Sequence, residues 1–149
     1  MSVNPALVDV VFEPTDSYVV GREKVREFAA ATFADDPIHT DPEAAKKRGF
    51  SDVVAPVTFP VVIQEKTLHQ LLSHPEAGID FSRVVHGDQR FDYSRPIVAG
   101  DELVATLRVT KVQSLGGHSM VTSESDIRTL TGEHVVTAIS TLVVRGDDA

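Results

Sequence analysis

The stretch Thr58-Phe59-Pro60-Val61-Val62-Ile63-Gln64-Glu65-Lys66-Thr67-Leu68-His69-Gln70-Leu71-Leu72 decides the fold. Thr58 is a capping residue and Pro60 falls where a first turn tolerates proline, so the spacing predicts a helix of about four turns. Its apolar residues cover more than one side: Phe59, Val62 and Ile63 on one, Val61, Leu68 and Leu72 on another. A helix that is apolar on several sides is enclosed by the rest of its domain.

The enclosing layer follows in the sequence. Arg83 to Tyr93 reads as extended, and Leu103-Val104-Ala105-Thr106-Leu107-Arg108-Val109-Thr110 alternates apolar and polar, the pattern of a half-buried antiparallel strand. Gly116-Gly117 predicts a turn, Met120 to Arg128 a further strand, Thr131-Gly132 another turn, and the β-branched run Val135 to Val144 a last strand. A curved antiparallel sheet around the central helix buries both most simply.

Upstream, residues 1–15 carry Pro5 and Pro14 with little periodicity and read as an arm, and Ser17 to Val20 as a short strand. Arg22 to Phe33 is helical in pattern, with Val25, Phe28, Ala29, Thr32 and Phe33 on one face. Pro37 closes it, and Pro42-Glu43-Ala44-Ala45-Lys46-Lys47 predicts a second short helix ended by Gly49. The fold class is therefore α+β, one domain over 1–149 with extra N-terminal helices. The 149 residues suffice for a real core, and 42% hydrophobic with 24% charged content is ordinary for a globular chain. A net charge of -8 argues against nucleic-acid binding, and the lack of cysteine excludes disulfides and thiolate chemistry. No apolar run reaches the roughly 20 residues of a membrane helix, and Met1-Ser2-Val3-Asn4-Pro5 does not resemble a secretory signal, so the expectation is a cytoplasmic protein away from membranes.

Chemistry concentrates in Phe33-Ala34-Asp35-Asp36-Pro37-Ile38-His39-Thr40-Asp41. Acid–base catalysis needs a proton carrier with a pKa near neutrality and a partner that orients it or holds a water. His39 supplies the first, Asp35 and Asp36 the candidates for the second. His69 and His74 are off the one-face helical spacing of a metal pair, and no metal is expected.

Several segments together resemble the MaoC-type hydratase/dehydratases of the hot-dog fold. They are Pro37-Ile38-His39-Thr40-Asp41, Ala44-Ala45, Gly49-Phe50, Ala55-Pro56-Val57-Thr58-Phe59, Val85-His86-Gly87-Asp88-Gln89-Arg90-Phe91 and Arg95 to Leu103. Val20-Gly21-Arg22-Glu23-Lys24-Val25-Arg26-Glu27-Phe28 further resembles the N-terminal-type domain of actinobacterial (3R)-hydroxyacyl-carrier-protein dehydratase subunits. The resemblance implies a dimerising hot-dog domain in fatty-acid metabolism. It also implies reversible hydration of trans-2-enoyl thioesters to (R)-3-hydroxyacyl thioesters, with the acyl group on CoA or on a carrier protein. An Asp and a His would handle water and the α-proton, and an amide at the start of the central helix would polarise the thioester oxygen.

Carried over by residue, the histidine is His39, and the polarising amide falls on Val57 or Thr58, where catalytic relatives usually carry glycine. The family aspartate, five residues before the histidine, is replaced by Ala34. Asp35 and Asp36 are then the available carboxylates. Two functions stay open: a dehydratase (hydro-lyase), as homodimer or heterodimer, and a non-catalytic acyl-binding subunit whose MaoC-like partner carries the intact Asp/His pair. A hot-dog thioesterase using Glu65 ranks below both. No cofactor is implied, because eliminating water needs no redox carrier. Lys46-Lys47-Arg48 reads either as a docking point for a phosphate-bearing carrier or as a solvated helix end.

Overall fold

Alternation over the second half of the chain builds four long strands, and a computed structural model describes residues 2–147. These are β2 (Val84–Tyr93), β3 (Glu102–Leu115), β4 (His118–Thr129) and β5 (His134–Val144), joined by a short β1 (Tyr18–Val19). They form one antiparallel sheet in the order β1-β3-β4-β5-β2, so β2 is an edge strand. Both β3 and β4 outrun the alternating segments and meet in a hairpin that turns on Gly116 and Gly117, each at positive φ.

The helices are α1 (Arg22–Ala31), α2 (Pro42–Lys47) and α3 (Pro60–Leu72), and the sheet curls around α3 as a hot-dog fold. No helix among the described residues is long and apolar enough to cross a membrane. Pro60, Ile63, Gln64, Thr67 and Leu71 of α3 are buried. Two apolar clusters fill the concave face. Ile63 and Phe59 pack with Ile127, Val136 and Ala138 in one. Leu71 packs with Leu107, Val109, Val121 and Val144 in the other.

The N-terminal segment is stitched to the sheet. Asp9, Phe12 and Thr15 donate their N–H groups to the Val109, Leu107 and Ala105 carbonyls of β3. Val3 and Leu7 are buried in the second cluster. Pro5 and Pro14 leave this segment without strand periodicity because they cannot donate to a ladder.

Helix α1 stops short of the Phe33 expected from its periodicity. Thr32 is the C-cap and Phe33 takes a left-handed φ of 57°. The Phe33 N–H reaches the Ala30 carbonyl and the Ala34 N–H the Ala29 carbonyl. This is the double closure of a Schellman turn, with phenylalanine where glycine is usual. It turns the chain out of the helix at the point where the candidate site begins.

Candidate functional site

Asp36 and Pro37 open a single 3-10 turn, Pro37–His39, that presents His39. One oxygen of the Asp36 carboxylate caps the turn by accepting the Ile38 N–H at 3.1 Å. The turn is tied across to the segment ahead of α3: the Val54 N–H donates to the Ile38 carbonyl at 2.9 Å. His39 Nδ1 lies 2.6 Å from the Val54 carbonyl oxygen. A carbonyl only accepts, so Nδ1 carries the proton, and in the neutral ring Nε2 is left with a free lone pair. Val54 in turn bridges Val98, and Ala55 donates to the Ile97 carbonyl. The imidazole is thus anchored by backbone on a strand-like strap, half-buried in a cavity of about 380 Å³ walled by Ile38, Phe50, Tyr93 and Pro96.

The two carboxylates of the stretch fare differently. Asp36 accepts from Arg48 Nη1 at 2.7 and 2.9 Å. That hydrogen bond, followed by the Ile38 N–H, holds its carboxyl below the usual carboxylate range, and His39 contributes least among the causes. Asp36 is therefore a committed anion, serving as cap and ion-pair partner. Asp35 is exposed and makes no hydrogen bond or ion pair with the described residues. Ala34 is half-buried at the position where a family aspartate is expected. No carboxylate of the described residues lies within 4.0 Å of the His39 ring nitrogens.

Val57 and Thr58 stand on the turn that enters α3. Both are exposed, and neither N–H donates to a group among the described residues. Phe59 and Val61 close the turn through the Pro56 and Thr58 carbonyls at 2.9 and 3.2 Å. Two free amides thus stand at the entry of a helix, where partial positive charge collects.

Sequence reasoning missed Tyr93. Its hydroxyl donates to the Val57 carbonyl at 2.7 Å, across a separation of 36 residues. Burial pushes the Tyr93 phenol well above its ordinary value, so it stays a donor across the working pH range. Arg95 is held by Asp101 at 2.8 and 2.9 Å and by Glu133 at 2.7 Å. Those carboxylates raise its pKa further and fix the strap that carries Ile97. Glu65 and His86 open instead onto a second, larger groove between α3 and β2, away from His39.

The curled sheet, the enclosed helix and the histidine turn at its head define a hot-dog domain of the hydratase/dehydratase class. The profile described as "FAS1-like, dehydratase domain region" matches residues 6–138, and the chain belongs to that family. A UPF0336 protein of Leifsonia xyli subsp. xyli is 66% identical over 146 residues, covering 98% of both chains. Another from Clavibacter michiganensis subsp. michiganensis is 63% identical over the full length of both. Among solved structures, a chain of the C-terminally truncated HadBC (3R-hydroxyacyl-ACP dehydratase) complex from Mycobacterium tuberculosis superposes with a TM-score of 0.84 at 32% identity. The match covers 92% of this chain and 96% of that one. A MaoC-like dehydratase gives a TM-score of 0.88 at 34% identity, with 96% of this chain matching 43% of that longer one.

Proposed function

We propose that this chain is the acyl-binding subunit of a heterodimeric (3R)-hydroxyacyl-thioester dehydratase in cytoplasmic fatty-acid metabolism. In this reading a MaoC-like partner supplies the aspartate–histidine pair. The observation that carries it is the state of the carboxylates. Ala34 fills the expected position, Asp36 is spent on Arg48 and the Ile38 N–H, and Asp35 points to solvent without a partner. An imidazole with no carboxylate beside it lacks the second group that would hold a water for addition to the enoyl carbon. The HadBC likeness supports the pairing, since that protein is named as a complex. The acyl group would arrive as a thioester of CoA or of a carrier protein.

A second reading, hydration by the chain alone or as a homodimer, draws on His39 itself. Its Nδ1 is fixed by Val54, leaving Nε2 as the ring's acceptor in a cavity that also adjoins the Val57 carbonyl anchor Tyr93. Here His39 would act as the acid–base residue with Asp35, and the Val57 or Thr58 amide would polarise the carbonyl.

Crotonyl-thioester hydration separates the two. The chain is assayed alone and co-purified with a MaoC-type partner, as wild type and as His39→Asn, which retains a donor toward Val54 but removes Nε2. The heterodimer reading expects no turnover by the isolated chain, and turnover by the pair that survives His39→Asn. Turnover by the isolated chain that His39→Asn abolishes would refute it in favour of the second.

A further inference from the structure

His134, outside the site already described, has a partner on each ring nitrogen. It opens β5, and its Nδ1 lies 2.5 Å from Ser94 Oγ. Its Nε2 lies 2.8 Å from Thr137 Oγ1 and 3.7 Å from Asp126 Oδ1. Asp126 of β4 and Thr137 of β5 stand opposite each other in register, so the sheet itself sets their spacing. Ser94 directly follows β2 and is fixed by its own N–H, which donates to the Val135 carbonyl at 2.8 Å. The sheet thus brings a serine, a histidine and an aspartate into contact in that order.

Both hydroxyls can donate or accept, so they leave the ring tautomer open. Asp126 decides it. Its Oδ2 accepts from Arg128 Nε at 2.8 Å, while its Oδ1 is buried and accepts no hydrogen bond among the described residues. An anionic oxygen without a donor favours the proton on the nitrogen that faces it, so Nε2 carries the N–H. Nδ1 is then the acceptor, and the Ser94 hydroxyl donates to it. That is the order of an activated serine: nucleophile to base, and base to an orienting group.

Ser94 is exposed and walls the same cavity of about 380 Å³ as His39 and Val57, whose N–H is free. His134, Asp126 and Thr137 line a separate groove of about 420 Å³. Ser94 therefore joins the base to the cavity. We propose that Ser94 is a nucleophile for acyl transfer, cleaving short carboxylic esters bound there. The volume lies near the lower end of small-molecule pockets, about 300–1,000 Å³, and suits a short acyl group. Ser94 Oγ adds to the ester carbonyl carbon as its proton passes to His134 Nδ1, and Asp126 faces the imidazolium through Nε2. The Val57 amide holds the oxyanion. Collapse breaks the bond to the alcohol, which leaves with the Nδ1 proton. Water then repeats the sequence on acyl-Ser94, releasing the acid and restoring the hydroxyl. Hydration leaves an acyl thioester whole, whereas this reaction cleaves the acyl bond, so the inference goes beyond the acyl-binding reading and does not rest on it.

The test uses the full-length chain with a fluorophosphonate probe and p-nitrophenyl butyrate. The probe should phosphonylate Ser94 with loss of fluoride, located by peptide mass spectrometry. Ser94→Ala, checked for native circular dichroism, should abolish that label and lower kcat/KM for the ester at least about a hundredfold. His134→Gln should cost about a hundredfold, the scale of a lost general base. Asp126→Asn should lower kcat and leave KM unchanged, because Asp126 acts through the imidazole. Imidazole ¹⁵N shifts of the wild type should place the neutral-ring proton on Nε2. Labelling confined to other serines, hydrolysis that survives Ser94→Ala, a ring proton on Nδ1, or no turnover above the uncatalysed rate would each overturn the proposal. Crotonyl-thioester hydration with the partner, measured on the same preparations, reports on the acyl-binding reading separately.

Discussion

Replacing Tyr93 with phenylalanine removes one hydroxyl and leaves the ring in the cavity wall beside Phe91. The lost bond is the 2.7 Å contact to the Val57 carbonyl. A net intramolecular hydrogen bond is worth about 0.5–1.5 kcal/mol. Val57 is 73% exposed, so water can take over its carbonyl and the cost should fall in the lower half, about 0.5–1 kcal/mol. For a domain of this size that is a drop in Tm of about 1–4 °C. The larger consequence is local. The Val57 carbonyl and the Thr58 N–H belong to one planar trans peptide and point in opposite directions. Tyr93 therefore aims the Thr58 amide by holding the oxygen behind it. In Tyr93→Phe the Thr58 backbone order parameter should fall from the rigid range near ~0.85 toward ~0.6, while α3 beyond Phe59 stays rigid. Thermal melts with ¹⁵N relaxation measure both effects. An unchanged Tm together with an unchanged Thr58 order parameter would refute the reasoning, because the peptide would then be held by something other than the phenol.

Phe33→Gly should stabilise the chain by up to about 1 kcal/mol in urea unfolding, since glycine adopts the left-handed turn freely and the phenyl ring, 91% exposed, contributes little packing. A loss of stability would show that the ring is held after all. Phe59→Ala should cost about 3–5 kcal/mol, because the ring is fully buried and packs edge-on against Phe28 at 5.3 Å; an effect under about 1 kcal/mol would mean that the head of α3 is not part of the core. Arg48→Ala should raise the Asp36 pKa toward its ordinary value, observable by carboxyl NMR, because Arg48 is the first cause of its depression. Asp36 stabilises the fold above the unfolded carboxylate pKa and loses that contribution as pH falls through its lower folded value, so the variant should lose part of its acid-dependent stability change. Tyr93 and Tyr18 both ionise above their ordinary value of 10.0, each chiefly through burial. Stability should therefore decline as pH rises beyond 10, where the unfolded chain releases phenolic protons first, and absorbance titration of native against denatured protein should show the delay.

The architecture was largely legible because it rests on short-range periodicity. Enclosure of 58–72 on several sides and period-two runs after residue 83 suffice to place a helix inside a sheet. The end of α1 was not legible. Apolar spacing continues to Phe33, but the turn that ends the helix uses that phenylalanine in a conformation no pattern announces. His39 could be singled out by its neighbours in sequence, whereas its hydrogen-bond partner, Val54, is fifteen residues away and contributes only a carbonyl, which every residue has. The Arg48–Asp36 pair and the Tyr93–Val57 bond were hidden for the same reason: partners that meet through tertiary folding leave no local spacing to read. Gln64 is polar in the sequence, yet it lies 1% exposed on the enclosed helix, a burial that residue type does not announce.

His39 has a structural role in this chain that needs no carboxylate beside it. Where a carboxylate orients a catalytic imidazole, losing the carboxylate frees the ring and removes the reason to keep it. Here the orienting group is the Val54 carbonyl, and the contact does a second job by tying the 3-10 turn to the strap that leads into α3. His39 and the Val54–Ile38 backbone bond act on the same two segments, so replacing the ring loosens the seam on which the head of the central helix is mounted. That dependence holds whether or not any proton is transferred. The Asp36 carboxylate caps the turn and pairs with Arg48, and both contacts stiffen the same seam. The seam thus fixes the orientation of His39 in the cavity walled by Ile38, Phe50, Tyr93 and Pro96.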